Sequence, residues 1–230
     1  MVNTVLFDLD GTLLNRDVSI QNFASDQYER LTDRIGNIPK EIYVSRFIEL
    51  DNRGYVWKDK VYQQIVKEFH IEGITWEGLL ADYLAYFKHF CVPFPGLQSM
   101  LKKLKAKSIS LGIITNGFTH FQMSNIDALG IKEFFDIMLI SESEGIKKPD
   151  IQIFNRAIHY LKSTPQHCIF VGDHPINDID GAKNAGMITV WKKDNQWEKV
   201  NADFAIDQLT EIIEIVEKLQ SRSAVTNLQT

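Results

Sequence analysis

The short run Thr4-Val5-Leu6-Phe7 stops abruptly at two acids, Asp8 and Asp10, and Gly11 follows at once. A brief apolar run bounded by a turn residue reads as a buried strand. Two carboxylates this close repel one another, and each resists ionising in a buried place unless a cation lies between them. The stretch therefore predicts a metal site at the carboxyl end of a strand. In open α/β sheets that end is where ligands bind. A sheet of this kind needs further strands alternating with helices.

The chain supplies them after residue 92. Ser108 to Ile114, Phe135 to Ile140, Cys168 to Val171 and Ile188 to Trp191 read as buried strands, with Phe204 to Ile206 as a short sixth strand or a docked extended segment. Helical periodicity fills the gaps: Leu97 to Lys107, Gln122 to Leu129, Ile151 to Leu161, Asp178 to Ala185 and Leu209 to Leu219. Single helices between strands imply βαβ units and a parallel sheet. The lysines at 102, 103, 105 and 107 are expected to form a solvated face.

The segment from about Asn15 to Val92 breaks the alternation. It carries helical patterns over Ile20 to Ile35, Lys40 to Leu50, Lys58 to Phe69 and Trp76 to Phe90, with breakers at Gly36, Pro39, Gly54 and Gly73, and no convincing strand. Pro93-Phe94-Pro95-Gly96 reads as a return linker. The expected fold is a doubly wound, Rossmann-like α/β core (residues 1–14 and 93–220) with an inserted all-helical subdomain (15–92). A tail without pattern follows from Ser221.

At 230 residues and 44% hydrophobic, the chain can build such a core. A net charge of −5 without a long basic run argues against nucleic acid as a partner, but not against a small phosphorylated one. Cys91 and Cys168 have no ligand-like spacing and read as buried free thiols. With no signal segment and no bilayer-length apolar run, a cytoplasmic protein without membrane partners is expected; its oligomeric state is left open.

The chemistry-bearing residues fall at strand ends. Asp8 and Asp10 follow the first strand, Thr115 and Asn116 the second, Lys148 lies beyond the third, and Asp173 and Asp178 follow the fourth. A parallel sheet brings these ends to one edge. Together they suit phosphoryl transfer. Asp8 can attack phosphorus, and Asp8 and Asp173 offer hard oxygen ligands suited to magnesium. Thr115 can bind phosphate oxygens, Lys148 can neutralise charge, and Asp10 can protonate the leaving oxygen and later activate water.

The order Asp8-Leu9-Asp10-Gly11-Thr12-Leu13, Thr115-Asn116-Gly117, Lys148-Pro149 and Gly172-Asp173-His174-Pro175-Ile176-Asn177-Asp178 resembles the haloacid dehalogenase-like hydrolase superfamily, specifically its phosphatase branch. The resemblance implies Asp8 as nucleophile and magnesium ligand, and Asp10 as general acid/base whose backbone carbonyl also binds the metal. It implies Thr115 as phosphoryl ligand supported by Asn116, Lys148 as charge stabiliser, and Asp173 as the third protein ligand to Mg²⁺. Asp178 would hold Lys148 or a metal-bound water, or else serve only as a favoured acid near a helix N-terminus. The insert matches the cap through which such enzymes select substrates. In it, the polar, aromatic stretch Asp51 to Lys58 offers Arg53 and Lys58 as substrate contacts, or is simply a helix connection. His174-Pro175 departs from the second acid or serine many relatives carry there. The expected function is a magnesium-dependent phosphatase of a small phosphomonoester such as a sugar phosphate or nucleotide, working through an aspartyl-phosphate. A phosphomutase, or a phosphate-binding or regulatory module on the same core, stands as the alternative. Asp10 argues against a dehalogenase.

Overall fold

A computed structural model describes residues 1–36 and 38–226, with side chains as far as Ser221. The described chain forms two compact units, Met1–Leu14 with Pro93–Thr230 and Asn15–Val92.

The first unit is built on six parallel strands: β1 (Thr4–Phe7), β2 (Ser110–Thr115), β3 (Ile137–Ile140), β4 (Cys168–Gly172), β5 (Ile188–Lys192) and β6 (Phe204–Ile206). Their order is β3-β2-β1-β4-β5-β6. The strand that ends in the paired acids is thus central, with Phe7 in register with Ile113 on one side and Val171 on the other. The order reverses direction beside β1, which is the crevice where doubly wound sheets take ligands. Phe204–Ile206 is a true edge strand, paired with β5 through Trp191 and Ala205.

Because side chains alternate along a strand, each buried strand needs cover on both faces. Helix α8 (Ile151–Tyr160) supplies one cover: Ile153, Phe154, Ala157 and Ile158 pack with Leu6, Ile114, Leu139 and Phe170. The rings of Phe154 and Phe170 meet edge to face at 5.1 Å. Helix α8 starts with Asp150 as its cap, bonded to Gln152 N at 2.9 Å, so Pro149 lies just outside the first turn. The other helices of this unit are α5 (Leu97–Ala106), α6 (Thr119–Ala128), the single turns α7 (Ser141–Glu144) and α9 (Gly181–Asn184), and α10 (Ile212–Thr226). On α5 the apolar stripe Leu97, Met100, Leu101 and Leu104 is buried, and all four lysines face solvent as their spacing predicts. Helix α10 continues past Ser221, where the sequence predicts a loose tail; residues 227–230 of that tail lie outside the described residues.

The second unit is helical: α1 (Arg16–Ile35), α2 (Lys40–Asp51), α3 (Lys58–Glu68) and α4 (Trp76–Tyr86). Its interior includes a buried amide. Gln27 accepts from the hydroxyls of Tyr43 (3.0 Å) and Tyr62 (2.9 Å) and donates to Leu79 O (3.1 Å). A buried amide with its bonds made costs little and fixes which residues face inward. Tyr83 and Phe87 are buried as their spacing predicts. Tyr86 is instead exposed, with the Arg30 guanidinium 4.4 Å above its ring. No helix among the described residues is long and apolar enough to cross a membrane.

Candidate active site

The parallel register carries the predicted residues to one edge of the sheet. Asp8 is buried directly past β1, Thr115 is buried at the end of β2, and Asp173 follows β4. Lys148 reaches this edge from the loop before α8. Its ammonium lies 2.6 Å from Asp8 Oδ1 and 2.6 Å from Asp178 Oδ1, with all three side chains buried. Asn116 fixes the backbone of that lysine: its amide donates to Lys148 O at 3.0 Å and its carbonyl oxygen accepts from Lys148 N at 2.9 Å. The Asn116 side chain thus acts on Lys148, a positioning task where the sequence predicts direct support of phosphate.

Oxygens of Asp8, Asp173 and Asp178 all lie within 4.8 Å of one another. Burial pushes the Asp8 carboxyl up to about 7, with Asp178 and Asp10 adding to it against the pull of Lys148. Burial also pushes Asp173 well up, and Asp178 and Asp8 push it further. Burial works against the Lys148 ammonium, but Asp178 and Asp8 outweigh it and raise its pKa. Three crowded acids against one ammonium leave an excess of negative charge, and hard carboxylate oxygens are the donor set that suits Mg²⁺. The residues therefore fit a divalent cation. Within the trio, Asp178 has both oxygens engaged, one on Lys148 and the other on His174 N at 3.0 Å. This favours Asp8 and Asp173 as the side-chain ligands.

Two glycines make room for these acids. A Cβ on Gly11, whose φ is +84°, would lie 2.5 Å from Asp173 Oδ2, and one on Gly172 would lie 2.4 Å from Asp178 Cβ. Gly11→Ala combines backbone strain with a displaced Asp173. It is expected to weaken magnesium binding by about tenfold or more, on the scale of lost ligand orientation, as isothermal titration calorimetry would record. Wild-type affinity in that variant would refute the role given to Asp173.

After Asp173 the backbone winds as a π-helix over Pro175–Asp180 before α9, where the sequence predicts one α-helix from Asp178. The wider turn turns Asp178 back onto Lys148. Irregular turns of this type concentrate at functional sites. His174 caps the turn: its Nδ1 accepts from Ile176 N and Asn177 N, both at 3.1 Å, so the ring proton sits on Nε2. Burial lowers the pKa of this imidazole, which keeps it neutral for that work.

Gln122, on α6, escapes the sequence reading. It is buried, and its amide nitrogen lies 2.7 Å from Asp10 Oδ2 and 2.8 Å from Thr115 Oγ1. The signal was its place on the inner face of α6, in line with Asn125, Ile126 and Leu129.

In the helical unit Lys58 is a correction. It is 1% exposed and its ammonium is held by Asp51, which also takes a two-pronged bond from Arg16 at 2.7 and 2.9 Å. Burial raises the Asp51 pKa, but Arg16 and Lys58 overcome it and hold the carboxyl below its usual value. Lys58 is thus a strut of the loop between α2 and α3 where the sequence offers it to substrate. Arg53 is half-buried, 3.3 Å from Asp17, in a left-handed run with Asn52 and Gly54. Such a conformation costs a side-chain-bearing residue about 1–3 kcal/mol and is typical of functional loops.

The sequence profile of the haloacid dehalogenase-like hydrolases matches residues 5–192. The chain belongs to this family. It is 28% identical over 228 residues to the glyceraldehyde 3-phosphate phosphatase of Pyrococcus furiosus, spanning 94% of each chain. It is 36% identical over 102 residues to the pyrimidine 5′-nucleotidase YjjG of Escherichia coli, across 44% of this chain and 45% of that one. The crystal structure of a HAD phosphatase from Thermococcus onnurineus superposes with a TM-score of 0.67 at 28% identity, covering 94% of this chain and 98% of that one.

Proposed function

We propose that this haloacid dehalogenase-like hydrolase is a magnesium-dependent phosphatase of a small phosphomonoester, acting through an aspartyl-phosphate on Asp8. The observation that carries the reading is the single ammonium of Lys148 held between Asp8 and Asp178 at one strand-end cluster. A structural lysine has no need of two buried acids beside a third.

Asp8, Asp173 and the backbone carbonyl of Asp10 would hold Mg²⁺, which supplies charge neutralisation between the attacking carboxylate and the phosphate. The Lys148 ammonium holds Oδ1 of Asp8, leaving its other oxygen to attack phosphorus. The ester oxygen departs with the bonding pair and takes the proton of Asp10. Water then attacks the phosphorus of the acyl phosphate, Asp10 takes its proton, and the Asp8 carboxylate is regenerated with inorganic phosphate. Thr115 binds a phosphoryl oxygen through its hydroxyl.

The named relatives act on a triose phosphate and on pyrimidine nucleotides, which supports a small phosphorylated metabolite as substrate. We assign substrate choice to the helical insert, with Arg53 as the residue to test first. The defining assay is hydrolysis of an aryl phosphate by the full chain with magnesium and with a chelator. Turnover is expected only with magnesium; turnover undiminished in chelator would refute the reading.

A further inference from the structure

We propose that Gln122 is a positioning residue that couples the proton carrier to the phosphoryl-binding hydroxyl; this rests on the roles given above to Asp10 and Thr115. Its amide nitrogen faces three acceptors: Asp10 Oδ2 at 2.7 Å, Thr115 Oγ1 at 2.8 Å and Asn116 O at 3.2 Å. An amide has two hydrogens to give, and both are committed here. The reverse orientation would set the amide oxygen against a carboxylate and a carbonyl, so these neighbours decide which end is nitrogen. The oxygen end accepts from the buried Asn125 Nδ2 at 3.2 Å. The group is 2% exposed, which leaves it little freedom to turn.

Two consequences follow from this geometry. Thr115 accepts from Gln122 at 2.8 Å and gives its own proton to Asn116 O across a long 3.5 Å, a weak bond that a phosphoryl oxygen can replace. Asp10 is half-buried, and the bond to Gln122 Nε2 restrains its carboxylate relative to Thr115. Asp10 must meet the ester oxygen in one half-reaction and water in the other, so a fixed carboxylate serves both. Gln122 is bonded to Asp10 Oδ2 and Thr115 Oγ1, and its effect on the reaction passes through these two partners. Gly117 is fitted to it, since a Cβ there would lie 2.9 Å from Gln122 Cγ.

Gln122→Met keeps the bulk and removes both donors; Gln122→Glu keeps the shape and sets an acceptor against Asp10. Each would be assayed on an aryl phosphate, whose leaving group departs unaided, and on an alkyl phosphate, whose leaving group needs a proton. Gln122→Met is expected to lower kcat about 100-fold on the alkyl ester and about tenfold on the aryl ester, within the range of acid–base assistance. The aryl ester should also show a larger pre-steady-state burst of phenolate relative to its steady rate, because water activation becomes the slow half. Gln122→Glu should lose at least as much. Equal losses on both esters with an unchanged burst, or wild-type rates in either variant, would overturn the proposal. Should one variant fail to melt cooperatively, the other decides by the same two readouts. Absence of magnesium-dependent turnover in the parent would instead overturn the phosphatase reading, and this proposal with it.

Discussion

Replacing Asp8 by Asn is expected to reduce phosphatase turnover by roughly 10⁴-fold or more, the scale seen when a nucleophile is removed. The amide matches the carboxylate in size, so the pocket keeps its packing. Its carbonyl oxygen can still accept from Lys148, which now lies 2.6 Å from Asp8 Oδ1. What is lost is the negatively charged oxygen that attacks phosphorus and would help to hold the cation. The same change relieves crowding, because burial and the neighbouring Asp178 disfavour a charge at this position. The melting temperature should therefore equal or exceed that of the parent, as expected of a site arranged for activity at the expense of stability. Loss of activity with a lowered melting temperature would mean that Asp8 is structural. Full activity would remove it from the mechanism.

Lys148→Met is expected to fail differently. It leaves Asp8 and Asp178, both buried, without the ammonium that lies 2.6 Å from each. Breaking a buried ion pair by deleting one partner costs about 3–5 kcal/mol, because the remaining charge has neither water nor counterion. Urea denaturation should show that loss, and turnover should fall as well. A divalent cation held by the folded acids would not bind the unfolded chain, so added magnesium should restore part of the midpoint. A variant as stable as the parent, or one indifferent to magnesium, would show that the acids are balanced by another group.

The helical insert and the strands were legible because their signals are local. Thr4 to Phe7 is apolar and then stops in acids; the segment 15–92 repeats at helical spacing between breakers. The gathering of Asp8, Thr115, Lys148, Asp173 and Asp178 was legible too, since parallel strands leave little choice about where their ends meet. What escaped was set by particular side-chain partners, some close in sequence and some distant. Gln122 has no role until one knows that Asp10, far earlier in the chain, lies 2.7 Å from its amide. Lys58 reads as a loop cation until Asp51 is seen to hold it inside. The π-helical turn at Pro175–Asp180 has no composition of its own; it accompanies the bonds of Asp178 to Lys148 and His174. Asn116 reads as support for the phosphoryl ligand, yet its side chain spends its hydrogen bonds on Lys148.

The way the chain enters and leaves its helical segment has a consequence for descent. Leu14 and Pro93 sit side by side as an antiparallel bridge, Phe94 N donates to Leu13 O at 3.0 Å, and Asn15 N donates to Val92 O at 2.8 Å. Whatever lies between these residues is spliced in through a two-stranded neck a few ångströms wide. The central strand and its acids stand outside that neck, and their register is set by β2 and β4 alone. A replacement of any length that begins and ends at the neck leaves the sheet undisturbed. The strand-end acids could thus be inherited intact while the intervening segment was exchanged, so that the two units vary as separate traits.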